Sequence, residues 1–174
     1  PYPYDKARII VAEMADSLVF QLTDKNLVTD GLTLDVGYDR ENCDKGSYRG
    51  PVHIDHYGRS VPKGAHGSTH LGNPTNLGSR IVTAAVELFD RIANRSLTVR
   101  RITIAANRVV QDEGVYQFDL FSDVKKQEKE KNLQKAMLGI KKKYGKNAIL
   151  KGTNFLDGAT MRERNKQIGG HKES

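Results

Sequence analysis

Residues 97–110 read "LTVRRITIAANRVV", and this stretch sets the fold class. Its density of β-branched residues marks a strand. Alternation puts Ile102 and Ile104 on one face and Arg101, Thr103 and Ala105 on the other. By the same count Arg100 falls on the apolar side, which leaves its role open. A strand with one apolar and one polar face needs a hydrophobic layer on one side only.

The neighbouring segments supply that layer. Upstream, "NPTNLGSRIVTAAVELFDRIAN" (73–94) provides a turn, a cap and a helix whose inner face is Ile81, Ala84, Ala85, Leu88, Phe89 and Ile92. "DKARIIVAEMADSLVFQLTDK" (5–25) reads as a second helix, with an apolar stripe of Ile10, Met14, Leu18 and Leu22 and Asp5 as its N-cap. "GLTLDVGYD" (31–39) alternates, with Leu32, Leu34 and Val36 opposed to Thr33, Asp35 and Gly37. "YRGPVHIDHYGRSVPKG" (48–64) reads as a hairpin turning near Tyr57-Gly58. "HGSTHLG" (66–72) reads as a short strand with Ser68 and His70 on one side and Thr69 and Leu71 on the other.

The predicted fold is α+β: a small antiparallel sheet with two helices on one face. The other face would then be open, carrying Thr33, Ser68, His70, Arg101 and Thr103. Small hydroxyls and a cation are groups that hold phosphates. An ordinary solvated sheet face has the same pattern, and both readings stand at this point.

Composition sets further bounds. The 174 residues suffice for one domain and an appendage. Cys43 is the lone cysteine and cannot form an internal disulfide, which points to a reducing, cytoplasmic setting. No apolar run approaches the roughly 20 residues a bilayer requires, and "PYPYDKAR" lacks the layout of a secretion signal, so no membrane association is expected. The net charge is +7, and nine lysines between 124 and 146, set against Glu128 and Glu130, account for all of it. That segment reads as a helix with a narrow seam of Leu133, Met137 and Ile140, supported by Glu130 near Lys126 and Lys131. Its charge either solvates the helix or attracts phosphates. The final segment, from Gly152, has no clear period, and its last residues are expected to be disordered.

Several blocks together resemble the C-terminal third of UmuC-like Y-family DNA polymerases, the error-prone enzymes that copy damaged template. They are "LVTDGLTLDVGYDREN", "PKGAHGSTHLG", "AAVELFDRIAN", "VRRITIAANRV" and the tail "KKYGKNAILKGTNFLDGATMRERNKQIGGHKE". The resemblance implies a role in DNA repair and SOS mutagenesis. It divides the chain into a little finger domain (1–111), a linker (112–123) and a lysine-rich helix with a C-terminal tail (124–174). In the family the little finger lays its sheet along primer–template duplex and grips the backbone without reading bases. Arg101 is then the residue expected to meet a phosphate, with Thr33, Ser68, His70 and Thr103 in support; Arg108 could face either way. The family's little finger opens with a further strand before its first helix. This chain starts at Pro1, so a longer polymerase with one sheet edge unpaired or otherwise filled is expected. The palm carboxylates that bind Mg²⁺ in the family lie N-terminal to this region, so no catalysis and no cofactor are expected here. Asp112-Glu113, a neighbouring loop pair, would make a poor Mg²⁺ cage.

The resemblance also gives sense to "QFDLF". Bacterial proteins that ride the sliding clamp carry a peptide of the form Gln-Leu-Ser/Asp-Leu-Phe; Gln117, Asp119, Leu120 and Phe121 match it, and Phe118 replaces the usual Leu. Leu120 and Phe121 would enter an apolar cleft while Gln117 fixes register. The alternative is that Phe118, Leu120 and Phe121 fold back onto the domain. Other partners compatible with the family are a recombinase filament or an accessory mutagenesis subunit, in a protein-interaction module without DNA affinity of its own. Cys43, His53, His56, His66 and His70 match no common structural zinc spacing.

Overall fold

The computed structural model describes residues 1–114, 124–168 and 171–172. The first helix, α1 (Tyr4–Asp24), leads into a twelve-residue strand, β1 (Leu27–Tyr38). After a short helix, α2 (Glu41–Asp44), come the hairpin strands β2 (Val52–Ile54) and β3 (Ser60–Pro62), then β4 (Ala65–Thr75). Helix α3 (Gly78–Ile92), strand β5 (Val99–Asn107) and a two-residue β6 (Val110–Gln111) complete the body. The sheet order is β4-β1-β5, all antiparallel, with β6 extending the pairing at the start of β1. This is the predicted α+β architecture.

The core lies between the sheet and α1 and α3. Leu32, Leu34 and Val36 project from β1 against Val11, Ala15 and Val19 of α1 and Ile81, Ala85, Leu88 and Phe89 of α3. Fully burying each such aliphatic or aromatic side chain stabilises by about 2 kcal/mol. Arg8 donates to Asp90 at 2.9 and 3.0 Å and Tyr4 adds a 2.6 Å bond, which ties α1 to α3 at the rim. The Arg8 hydrogen bond holds the Asp90 carboxyl below the usual carboxylate range.

Three local expectations are corrected. Asp5 does not cap α1: Pro3 occupies the N-cap, with no side-chain cap bond. The buried stripe of α1 runs through Ala7, Val11, Ala15, Val19 and Leu22, and Met14 and Leu18 are only half-buried. The helix sits between the sheet and a second layer on its outer side, so its buried surface is wider than a single stripe. Arg100 is exposed, because a β-bulge breaks alternation there: Gly37 pairs with Arg101 but Tyr38 with Val99, so Arg100 is the extra residue. Arg100 reaches Asp39 at 3.0 Å. Burial pushes that carboxyl up, but the Glu41 N–H and Arg100 outweigh it and hold it below its ordinary value.

The second layer is the C-terminal segment. Helix α4 (Val124–Tyr144) packs on α1 with a stripe of the buried Gln134 and the half-buried Gln127, Glu130, Lys131, Met137, Leu138 and Lys141. Of the expected seam Met137 lies on this face, but Leu133 is 60% and Ile140 39% exposed, and Gln134, one residue from Leu133, is buried in its place. Glu130 reaches α3, accepting bonds from the Ser79 N–H at 2.7 Å and its hydroxyl at 2.8 Å. Lys131 pairs with Asp112, Lys142 with Asp24, and the Lys141 ammonium lies 4.1 Å from the Phe20 ring centre. Beyond α4 a short 3₁₀ turn (Gly152–Phe155) and a one-turn helix, α5 (Met161–Arg164), return to α1. Gln167–Ile168 and His171–Lys172 pair as a final hairpin.

At the outer edge of β5, Tyr2 exchanges two 2.7 Å backbone hydrogen bonds with Val99. The residues preceding α1 thus pair with the β5 edge at one position.

Candidate nucleic-acid interface

The face of the sheet away from α1 and α3 carries no element of the described chain. Exposed on it are Asp35 of β1, His66, Ser68 and His70 of β4, and Arg101, Thr103 and Ala105 of β5. Register brings these residues together. Thr33 pairs with Ser68 and with Ala105, and Asp35 with His66 and with Thr103. Thr33 Oγ1 lies 3.0 Å from Ser68 Oγ, and the Asn107 amide approaches the same hydroxyl at 3.0 Å. Two hydroxyls and an amide are thus linked across the three strands of the sheet, and groups of these kinds are among those that contact phosphates.

The cations on this face differ in how far they are committed. Arg101 is exposed and has no hydrogen-bond or ion-pair partner among the described residues. Its cross-strand neighbour is Gly37, where a Cβ would lie 3.4 Å from the Cβ of Arg101. Arg108, by contrast, turns into the left-handed region (φ 46) just past β5. Its guanidinium bonds Asp30 at 2.7 Å and stands 3.0 Å from His70 Nδ1. The Arg108 hydrogen bond in turn holds the Asp30 carboxyl below its ordinary range. Arg108 and His70 thus form one linked unit at the edge of the face, and Arg101 lies within it with no partner among the described residues. Sequence reading did not single out Asn107, which the alternation through Thr103 and Ala105 would have found. It also passed over Asp35, whose carboxylate stands 2.5 Å from His66 Nδ1. Arg91 likewise escaped it, because this side chain crosses from α3 to the Ser68 carbonyl at 2.9 Å, a contact with no sequence signal.

A helix-backed sheet with an open polar face has many uses, and the comparison with known sequences narrows them. Residues 3–120 match the family described as the impB/mucB/samB family C-terminal domain. The chain belongs to that family. It is the C-terminal region of a UmuC-like Y-family protein.

Similar proteins include DNA polymerase IV 2 of Halalkalibacterium halodurans, 31% identical over 111 residues, which cover 64% of this chain and 26% of that protein. DNA polymerase IV of Bacillus velezensis is 37% identical over 86 residues, covering 49% of this chain and 20% of the relative. A Bacillus subtilis protein named for UV-damage repair, UvrX, is 23% identical over 168 residues, 97% of this chain and 35% of its own length. That last alignment carries the likeness into the C-terminal segment, beyond the family domain. The chain spans between 20% and 35% of the length of these curated relatives. No solved structure matches it.

The other candidate groups fall elsewhere. Gln117, Phe118, Asp119, Leu120 and Phe121 lie outside the described residues. Asp112 is committed to Lys131 and to the Gly114 N–H at 3.1 Å, so Asp112-Glu113 does not present two free carboxylates to a cation. Among the described residues no group of three or more His, Cys, Asp or Glu side chains converges on a metal position. His66 and His70 lie on the sheet face, whereas His53 and His56 lie on the hairpin. No helix of the described residues is long and apolar enough to cross a membrane.

Proposed function

We propose that this region grips primer–template DNA and docks the sliding clamp for a Y-family translesion polymerase, taking no part in the chemistry itself. The observation that carries the DNA reading is the open sheet face, with an uncommitted guanidinium at Arg101 standing among fixed hydroxyls. Arg101 would meet a backbone phosphate, while Thr33, Ser68 and Thr103 donate hydrogen bonds. The Arg108–Asp30–His70 unit would border the site. Backbone contacts position a duplex without reading its sequence, which suits a polymerase that must accept a distorted base pair. The "QFDLF" segment supports the clamp role by its composition and by its place directly after the sheet domain. Two buried apolar side chains on a short peptide give weak binding alone, and sharing one DNA molecule with the clamp would raise its occupancy.

Two arms test this reading. In gel-shift titrations Arg101→Ala should weaken binding to duplexes of any sequence alike and lower the slope of affinity against salt by about one phosphate contact. A strong preference of the wild type for one sequence would count against it. Replacing Leu120 and Phe121 by Ala should abolish capture of the bacterial sliding clamp, and undiminished capture would rule that role out.

A further inference from the structure

The β2–β3 hairpin stands apart from the core, and its tip is built with more order than a connecting turn needs. The Asp55 carboxylate accepts the Tyr57 N–H at 2.9 Å, the Arg59 N–H at 3.0 Å and the Arg59 guanidinium at 2.8 Å. Asp55 N–H donates to the Arg59 carbonyl at 2.9 Å, and Gly58 takes the positive φ of 74° that closes the turn. The Arg59 hydrogen bond holds the Asp55 carboxyl down at about 2, so the brace persists throughout the physiological range.

What this brace displays is an aromatic ring. Tyr57 is 76% exposed, Arg59 lies over the ring 4.8 Å from its centre, and His56 meets it edge-on at 5.5 Å. One face of the ring is backed by a cation and the ring still meets solvent over most of its surface. The Tyr57 phenol has no hydrogen-bond partner among the described residues. Around it the hairpin is net positive: with Arg59 and Asp55 paired, the charges left between residues 48 and 64 are those of Arg49 and Lys63, beside His53 and His56. The hairpin springs from the end of the sheet where His66 and Arg101 stand, since β3 leads directly into β4 at Ala65, opposite Val36.

We propose that the hairpin tip is a stacking platform for an unpaired nucleobase of single-stranded DNA, with Tyr57 as the ring on which the base lies. A rigid, cation-backed aromatic ring in a basic setting matches the chemistry of single-strand binding, where each stacked base adds substantially and without sequence preference. Charge complementarity favours a polyanion over an apolar protein partner. A duplex interior offers no free π-face, so the occupant is an unpaired stretch such as template beyond the paired region. The inference rests on the proposed DNA role but concerns a different strand state and a different element.

The test is fluorescence anisotropy with labelled oligo(dT) and with a blunt duplex, using the full chain as wild type, Tyr57→Ala, Tyr57→Phe and Arg101→Ala. Tyr57→Ala should weaken oligo(dT) binding by about tenfold or more and leave duplex binding unchanged, whereas Tyr57→Phe should keep both. Arg101→Ala should show the reverse preference, losing duplex more than oligo(dT). Circular dichroism and melting should be unaltered for both Tyr57 variants, since the ring lies outside the core. Unchanged oligo(dT) affinity in Tyr57→Ala, or equal losses on both ligands, would overturn the platform while leaving the sheet-face reading intact. Failure of the wild type to bind oligo(dT) when it binds duplex would overturn it as well.

Discussion

Glu13 is only 2% exposed, yet it is a carboxylate on the outer side of a helix. It is tolerated because its oxygens accept the Asn154 amide at 2.9 Å, the Thr160 N–H at 2.8 Å and the Met161 N–H at 2.9 Å, with Arg164 at 3.4 Å. Three of these donors are neutral and come from a segment with no apolar period, so Glu13 is a buried point at which the tail is fastened to α1, beside the more exposed Lys151–Asp16 and Lys6–Asp157 pairs. With its carbonyl kept on the Thr160 and Met161 N–H groups, Glu13→Gln turns the other acceptor into a donor facing the Asn154 amide and removes the charge that pairs with Arg164. We expect a loss of about 3 kcal/mol, read as a lower midpoint in urea unfolding. Protease sensitivity should appear first between residues 145 and 166. Unaltered stability would show that the tail is held by other contacts. The arginines teach the same lesson of context. Arg100, Arg101 and Arg108 lie within nine residues, and of the three only Arg101 has no partner among the described residues, because a bulge sends Arg100 to Asp39 and a left-handed turn sends Arg108 to Asp30.

Among the elements, α3 and α4 depend on one another. Helix α3 begins at Gly78 with Leu77 at its N-cap, a residue that offers no capping oxygen. The orphan N–H groups of its first turn are met from α4: Gln134 Oε1 accepts the Gly78 N–H at 2.6 Å, and Glu130 accepts that of Ser79 at 2.7 Å. The Glu130 charge also suits the positive end of the helix. Gln134 completes its bonding by donating to the Asn76 carbonyl at 2.9 Å. The double substitution Glu130→Ala, Gln134→Ala removes a cap supplied in tertiary contact. It should cost about 2 kcal/mol in thermal or urea unfolding and raise amide exchange at Gly78 and Ser79. The control Leu133→Ala, on the exposed side, should change little. A full loss in the control with none in the double variant would place the docking face where the apolar seam lies.

At the scale of the molecule, the positive charge is less available than composition implies. Of the lysines in the basic segment, Lys131 and Lys142 are paired with Asp112 and Asp24, and Lys141 is half-buried against Phe20. Burial pushes the Lys141 ammonium below its ordinary pKa. Lys125, Lys129 and Lys135 are exposed. Replacing these three by Gln should flatten the salt dependence of duplex binding by up to about three phosphate contacts without changing stability. Lys131→Gln should do the opposite, loosening the Asp112 tie with little effect on the salt slope. Equal salt slopes in all variants would confine DNA binding to the sheet face.

Much of the body was legible in sequence because its signals are local. Ile102 and Ile104 alternate with Arg101 and Thr103, Leu32 to Val36 alternate likewise, and the 3.6 period of Ile81, Ala85, Leu88 and Phe89 needs no neighbour to be seen. From these alone follow an α+β layer and an open polar face, and the hairpin turn at Tyr57-Gly58 was announced by its own turn chemistry. What tertiary structure alone decided is everything carried by polar atoms across long separations. These include the direction of Arg100, the borrowed cap of α3 and the buried Glu13 that holds the tail. The apparent apolar seam of α4 was the misleading case: docking chose Gln134, one residue away, because unsatisfied N–H groups at the start of α3 needed an acceptor more than Leu133 and Ile140 needed cover. Hydrophobic period is written along a segment, whereas the partner of a buried hydrogen-bonding group exists only once distant segments have met.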